Sequence, residues 1–178
     1  MALATTDDLK ALLSIRHGED DALLLRLVGA ASEWFEKQAG RTILSTEYVE
    51  TQDGSGSTAI APKMYPVISV TDVVISGETV TESTGYGVDG WYQHGDLVRL
   101  RGRAFTAGEG NVEITYEAGY AVVPSDVNQA VLEVAGLMYR ERDRYGQQSK
   151  TMGGESVAFY YTPPSRVMAT IEAYRRVD

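Results

Sequence analysis

A chain of 178 residues with 43% hydrophobic and 23% charged residues can build one full core, or a core with a small subdomain, and its composition excludes whole-chain disorder and collagen-like repeats. It has no cysteine, which removes disulfides, thiolate metal sites, iron–sulfur clusters and cysteine nucleophiles together. The formal net charge is -9, and residues 41–120 alone hold 5 basic against 11 acidic side chains. That balance opposes tight general binding to nucleic acid, which comes from neutralising phosphates with Lys and Arg.

The longest apolar run, around Leu23-Leu24-Leu25, is cut by Arg26 and preceded by Asp20 and Asp21, so nothing in it spans a bilayer. Asp7 and Asp8 fall where a signal peptide would place its apolar stretch, and the expectation is a protein that acts where it is made, with no membrane partner. Thr5 followed by Asp8 is a capping-box-like start to a first helix with Leu9, Leu12 and Leu13 on one face and Gly18 as its stop. Glu19, Asp20 and Asp21 favour the N-terminus of a second helix. Its apolar stripe runs through Leu24, Leu27, Val28, Ala31, Phe35 and Gln38 until Gly40.

From Ile43 to Tyr120 the period changes to alternation, with β-branched runs broken by glycine-rich turns. The candidate strands are Leu44–Thr51, Val67–Ile75, Tyr86–Tyr92, Asp96–Arg101 and Asn111–Tyr116, arranged as an antiparallel sheet or small barrel. Pro124 and Ser125 open a third helix with the stripe Val127, Ala130, Val131, Val134 and Met138, and Arg140, Arg142 and Arg144 crowd its end. Residues 147–161 read as a polar, glycine-containing loop ending in Phe159-Tyr160-Tyr161, and Thr162-Pro163-Pro164 as the cap and first turn of a fourth helix carrying Val167, Met168, Ile171 and Tyr174. The expected class is α+β: a bundle of about four helices from residues 1–42 and 121–178, with an antiparallel β insertion, residues 43–120, between the second and third.

No constellation for catalysis, a cofactor or a metal emerges. His17 and His94 are the two histidines, and both suit structural roles, His17 at the end of the first helix. Gly85-x-Gly87-x-x-Gly90 has the letters of a dinucleotide fingerprint but leads into a strand and turn rather than a helix N-terminus. Glu113 and Glu117 flank Thr115 on one strand face, the pattern of a solvated surface as well as of paired acids. Arg99, Arg101 and Arg103 alternate opposite Val98 and Leu100. They form either a DNA-facing ridge or an exposed face paired with surrounding acids. Phe159, Tyr160 and Tyr161 after a glycine-rich loop either pack onto the bundle or anchor an interface, as tyrosine and phenylalanine commonly do.

Taken in order, Asp20-Asp21-Ala22-Leu23-Leu24, the helix end Phe35-Glu36 to Gly40-Arg41, Tyr65-Pro66-Val67-Ile68-Ser69-Val70, Ile114-Thr115-Tyr116-Glu117-Ala118-Gly119-Tyr120, Val123-Pro124-Ser125-Asp126-Val127 and Tyr139-Arg140-Glu141-Arg142-Asp143 resemble the gp6-like head–tail connector (adaptor) proteins of tailed bacteriophages and prophages. The resemblance covers nearly the whole chain, and its most specific piece is the strand end Tyr-x-Ala-Gly-Tyr running into Val-Pro-x-Asp. It implies a virion structural protein without enzymatic activity or cofactor, made in the bacterial cytoplasm. As a homo-oligomer, usually a ring of twelve, it docks under the portal protein and meets a stopper or tail-completion protein, while double-stranded DNA passes through. A head-completion or stopper protein of the same junction, or a nucleic-acid-binding accessory protein, is the alternative. The β excursion of about 75 residues is longer than in the smallest members. On this reading Phe159, Tyr160, Tyr161, Tyr174, Arg175, Arg176, Arg140, Arg142 and Arg144 contact the portal or a neighbouring subunit; Arg99, Arg101 and Arg103 are the candidate DNA-facing residues, which the accessory-protein alternative uses.

Overall fold

A computed structural model describes residues 2–142, 149–152, 155–158 and 163–175, the two middle stretches by their backbone alone. In chain order the elements are α1 (Thr6–Leu13), α2 (Asp21–Ala39), β1 (Thr46–Gly54), β2 (Ala59–Ile60), β3 (Val67–Ile75), β4 (Glu78–Thr79), β5 (Gly90–His94), β6 (Leu97–Arg101), β7 (Gly108–Ala118), α3 (Ser125–Glu141), β8 (Ser149–Met152), β9 (Glu155–Ala158) and α4 (Ser165–Ala173). The class is α+β, with the antiparallel sheets inserted between the second and third helices. The chain divides into two compact units, one of Met1–Arg41 and Val123–Arg175 and one of Thr42–Val122. No helix among the described residues is long and apolar enough to cross a membrane.

The helical unit starts from local signals. Thr5 Oγ1 accepts from the Asp8 amide at 3.1 Å and donates to Asp8 Oδ2 at 2.6 Å, which secures the first turn of α1. The helix stops four residues before Gly18. Ser14 adopts the left-handed region at φ 59°, and the amides of Ser14 and Ile15 reach back to Ala11 and Lys10, closing a Schellman motif. His17 therefore lies beyond the helix end, and the dipole role expected for it is not present. Gly40 ends α2 in the same way at φ 68°.

In α2 the fully buried positions are Leu24, Val28, Ala31, Ser32, Phe35 and Ala39, while Leu27 is half-buried and Gln38 exposed. The buried stripe is thus narrower than expected. Helix α3 packs against α1, α2 and α4, so it buries an arc rather than a stripe: Val127, Ala130, Val131, Leu132, Val134, Ala135 and Gly136. The N-terminus is tied in by the Leu3 amide donating to Ser32 Oγ (3.0 Å) and by Asn128 Nδ2 donating to the Leu3 carbonyl (3.1 Å). Helix α4 begins later than Thr162-Pro163-Pro164 suggested. Pro163 precedes a proline and is driven from the helical region, and Pro164 is the extended N-cap (φ -54°, ψ 145°), so the first helical residue is Ser165. Val167 and Ile171 are its buried side chains; Met168 is 44% exposed.

Where an open loop was expected over 147–161, β8 and β9 pair antiparallel with Met152 opposite Glu155. Two strand-length runs separated by Gly153-Gly154 are a hairpin signature in the sequence itself.

In the second unit a four-stranded sheet, β1-β7-β3-β4, and a three-stranded sheet, β2-β6-β5, share one core. Val73, Ile75, Val112, Ile114 and Tyr116 come from the first, Trp91, Val98 and Leu100 from the second, and Phe105 from the connection between β6 and β7. Strand β5 starts at Gly90, later than expected, and Tyr86 stands fully exposed in the preceding turn. The two-residue strands β2 and β4 were not foreseen. The excursion closes on itself: the Tyr120 amide donates to the Ile43 carbonyl (2.9 Å), Ser45 to Tyr120 (3.0 Å) and Gly119 to Pro66 (3.0 Å). Gly119 has φ 122°, and a Cβ there would sit 2.7 Å from the Leu44 carbonyl oxygen, so only glycine fits.

Leu24→Ala is expected to destabilise the helical unit by about 2 to 5 kcal/mol, whereas Leu25→Ala, one residue on and 61% exposed, changes it by less than about 0.5 kcal/mol. Urea unfolding followed by circular dichroism distinguishes the two.

Candidate functional site

The sequence pointed to two sets of side chains, and the structure separates them into different units. In the β unit, Arg99 and Arg101 project from the face of β6 opposite the buried Val98 and Leu100, as alternation requires. Arg99 pairs across the sheet with Ala59 on one side and Tyr92 on the other. The Arg101 guanidinium lies 3.8 Å from the Tyr92 ring centre and 5.6 Å from that of Tyr86, and its Nη1 donates to Ser83 Oγ at 2.8 Å. Arg101 is therefore held rigid by stacking and hydrogen bonding. Arg99 Nε is buried and has no hydrogen-bond partner among the described residues.

Two details differ from expectation. Arg103 is not on this face, because β6 ends at Arg101 and Gly102 turns the chain at φ 74°. Nor are the arginines paired with acids: among the described residues none of the three makes an ion pair, and for Arg101 tyrosine faces take the place of carboxylates.

In the helical unit, the expected interface residues fall at opposite ends of α3. Arg140 and Arg142 are exposed at its C-terminal end, where Arg142 stacks 3.8 Å from the Tyr139 ring centre and donates to the Tyr139 carbonyl at 2.7 Å. Tyr139 in turn donates from its hydroxyl to Asp20 Oδ2 at 2.5 Å, fixing the start of α2 to the end of α3. Tyr174 lies at the other end, its hydroxyl donating to Asp126 Oδ1 at 3.0 Å, beside Arg175, which pairs with Glu172 at 3.4 Å. The 14 residues from Asp126 to Arg140 span about 21 Å of helix, so these side chains make two patches rather than one. Phe159, Tyr160, Tyr161, Arg144 and Arg176 lie outside the described residues. Between the patches, α4 is docked by Arg166 Nε donating to Glu133 Oε2 at 2.6 Å, with Gln129 Nε2 donating to the other carboxylate oxygen at 2.9 Å.

Sequence reasoning missed a polar cluster inside the β unit. Glu50 Oε2 accepts from the Tyr116 hydroxyl at 2.6 Å and from the Lys63 amide at 3.0 Å, and Oε1 accepts from Gln52 Nε2 at 2.6 Å. The Met64 amide donates back to the Tyr116 hydroxyl oxygen at 3.2 Å. Burial pushes the Tyr116 phenol well above the usual tyrosine range, reinforced by its hydrogen bond to Glu50. The partners come from β1, β7 and the β2–β3 connection, and only the two-residue spacing that puts Glu50 on the same face as inward-facing Tyr48 hinted at it.

The fold is similar to that of chains in gene transfer agent particles. In the neck of an empty gene transfer agent particle computed with C6 symmetry, one chain is 21% identical, with a TM-score of 0.60 over 99% of this chain and 91% of that one. In the neck of the native particle computed with C12 symmetry the values are 23%, 0.56, 89% and 84%. A chain in the virion of the native gene transfer agent is 24% identical, with a TM-score of 0.52 over 91% of this chain and 81% of that one. These are likenesses of fold. The chain belongs to the head completion protein family, whose model matches residues 2–177. No curated protein matches it.

Tyr116→Phe is expected to cost about 1 to 3 kcal/mol, since it leaves the part-buried Met64 amide without its acceptor and removes one of the donors to Glu50. The sign with pH follows from the raised phenol. Above about pH 10 the unfolded chain loses this proton and the folded chain holds it, so wild-type stability falls as pH rises. Denaturation at pH 8 and pH 11 should show a shallower alkaline decline for Tyr116→Phe.

Proposed function

We propose that this chain is a structural, non-enzymatic subunit of the head–tail junction of a phage-like particle. It forms a ring, of twelve copies in the mature assembly, that docks beneath the portal protein and extends the DNA channel toward a stopper or tail-completion protein. The observation that carries the reading is the family match over residues 2–177, essentially the entire chain. The C6 and C12 symmetries of the necks with the same fold support a ring.

The charge suits a channel that DNA passes. Twelve copies at -9 each carry roughly -108, and such a wall repels the phosphate backbone so that DNA slides rather than adheres. A ring subunit meets its neighbours through two different surfaces. The separated patches around Arg140 and Arg142 and around Tyr174 and Arg175 suit that requirement better than a single patch would. We assign Phe159, Tyr160, Tyr161, Arg144 and Arg176 to the same contacts with the portal or a neighbouring subunit. The second reading, a nucleic-acid-binding accessory protein, is favoured by Arg99 and Arg101, neither of which has an acidic partner among the described residues, with exposed Arg103 beyond them.

Light scattering and negative-stain imaging of the purified chain are expected to give a closed ring. Duplex DNA near physiological salt should bind weakly or not at all. Submicromolar, salt-sensitive binding lost on replacing Arg99, Arg101 and Arg103 would put the accessory reading first. Phe159→Ala with Tyr160→Ala should leave helical content and melting nearly intact while abolishing ring formation or portal docking.

A further inference from the structure

The β unit carries 4 basic and 11 acidic side chains between Thr42 and Val122, and the strand faces of its two sheets differ in the charges they carry. On the outward face of the four-stranded sheet, Glu47 stands directly opposite Glu117, which is opposite Ser69 on the next strand; Asp72 is opposite Thr115; and Glu113 lies between Thr51 and Val74. Among the described residues the carboxylates of Glu47, Glu113 and Glu117 make no hydrogen bond or ion pair, and Val49 between them is 64% exposed. Like charges directly opposite each other on a sheet are destabilising. The outward face of the other sheet carries Arg99 and Arg101; Arg101 is held by Tyr92 and Ser83, and Arg99 Nε is buried and unpartnered among the described residues. Both sheets pack their other faces into one core, so the acidic face and the arginine face look away from each other.

We infer that these two faces are the two halves of one contact: the Arg99–Arg101–Tyr92 face of one copy docks on the Glu47–Glu113–Glu117 face of the next. This rests on the ring reading above and assigns it a surface in the β unit. The occupant is a second copy because the chain itself carries the complement of each face, and because a head-to-tail contact between unlike faces is what a ring needs. An arginine fixed in orientation, as Arg101 is, suits carboxylates, which accept two parallel N–H donors from one guanidinium. Duplex DNA is the poorer occupant, since two arginines neutralise few phosphates and the surrounding unit is acidic.

The test is a charge exchange in the full chain. One variant carries Arg99→Glu and Arg101→Glu, the other Glu47→Lys and Glu117→Lys. In each, like faces now meet, and self-association measured by sedimentation at low salt should weaken at least about tenfold. Mixed in equal amounts, the two variants present complementary faces at every contact of an alternating ring, and association should return to near the wild-type level. Should a reversed variant fail to fold by circular dichroism, glutamine at the same positions should weaken self-association by a smaller factor. Wild-type rings that reversal leaves intact, or a mixture that fails to recover, overturn the contact and leave the ring reading standing. A wild-type chain monomeric up to about millimolar concentration, where even weak contacts register, overturns both. Unchanged association with loss of duplex DNA binding in the arginine variant assigns that face to nucleic acid instead.

Discussion

Strand β7 is the member on which the β unit depends. It lies between β1 and β3, its alternate residues Val112, Ile114, Tyr116 and Ala118 are buried, and its two ends are fastened differently. At the C-terminal end Gly119 and Tyr120 bind Pro66, Ile43 and Ser45 through backbone groups alone. At the N-terminal end the fastening is by side chains: Asn111 Oδ1 accepts from the Gly54 amide and Asn111 Nδ2 donates to the Thr106 carbonyl, both at 2.8 Å, while Asp53 accepts from Gly110 at 2.6 Å. Because both edges of β7 are already paired, its register determines where β1 and β3 place their inward residues. The Tyr116 hydroxyl then reaches Glu50 only in that register.

Helix α3 has the corresponding place in the helical unit, and the reason is visible in its composition. Ala130, Ala135 and Gly136 are small, so several helices can approach it; Gly136 faces Leu9, Leu12 and Leu13 of α1. The larger side chains of α2 and α4 then fill the space, which is why those helices show narrow buried stripes while α3 shows an arc.

Features determined by neighbouring residues were legible in the sequence. The Thr5–Asp8 cap, Gly40 at the end of α2, the start of α3 after Pro124 and the alternation through β3, β6 and β7 all follow from local chemistry. Boundaries set by competition between local signals were less so. Ser14 ended α1 before Gly18 could, and the prolines before Ser165 delayed α4. Strands of two residues, β2 and β4, have no periodicity to read, and they exist only because partners already lie beside them. The same holds for the Glu50 cluster, whose members are 66 positions apart. The arginine face was legible as alternation, but its stacking on Tyr92 was not, since that depends on the pairing of β5 with β6.

The clasp at Ile43 and Tyr120 also bears on how such a fold tolerates growth. It holds the two ends of a long excursion side by side, so the segment between them is a closed loop in the polymer sense. The entropy of closing a loop rises only with the logarithm of its length, about 0.6 kcal/mol for each doubling. Hairpins such as β5–β6 can therefore be lengthened or added at little thermodynamic expense, provided that each brings its own core contacts, as Trp91, Val98 and Leu100 do here. The position that cannot drift is Gly119, where any side chain would part the two ends.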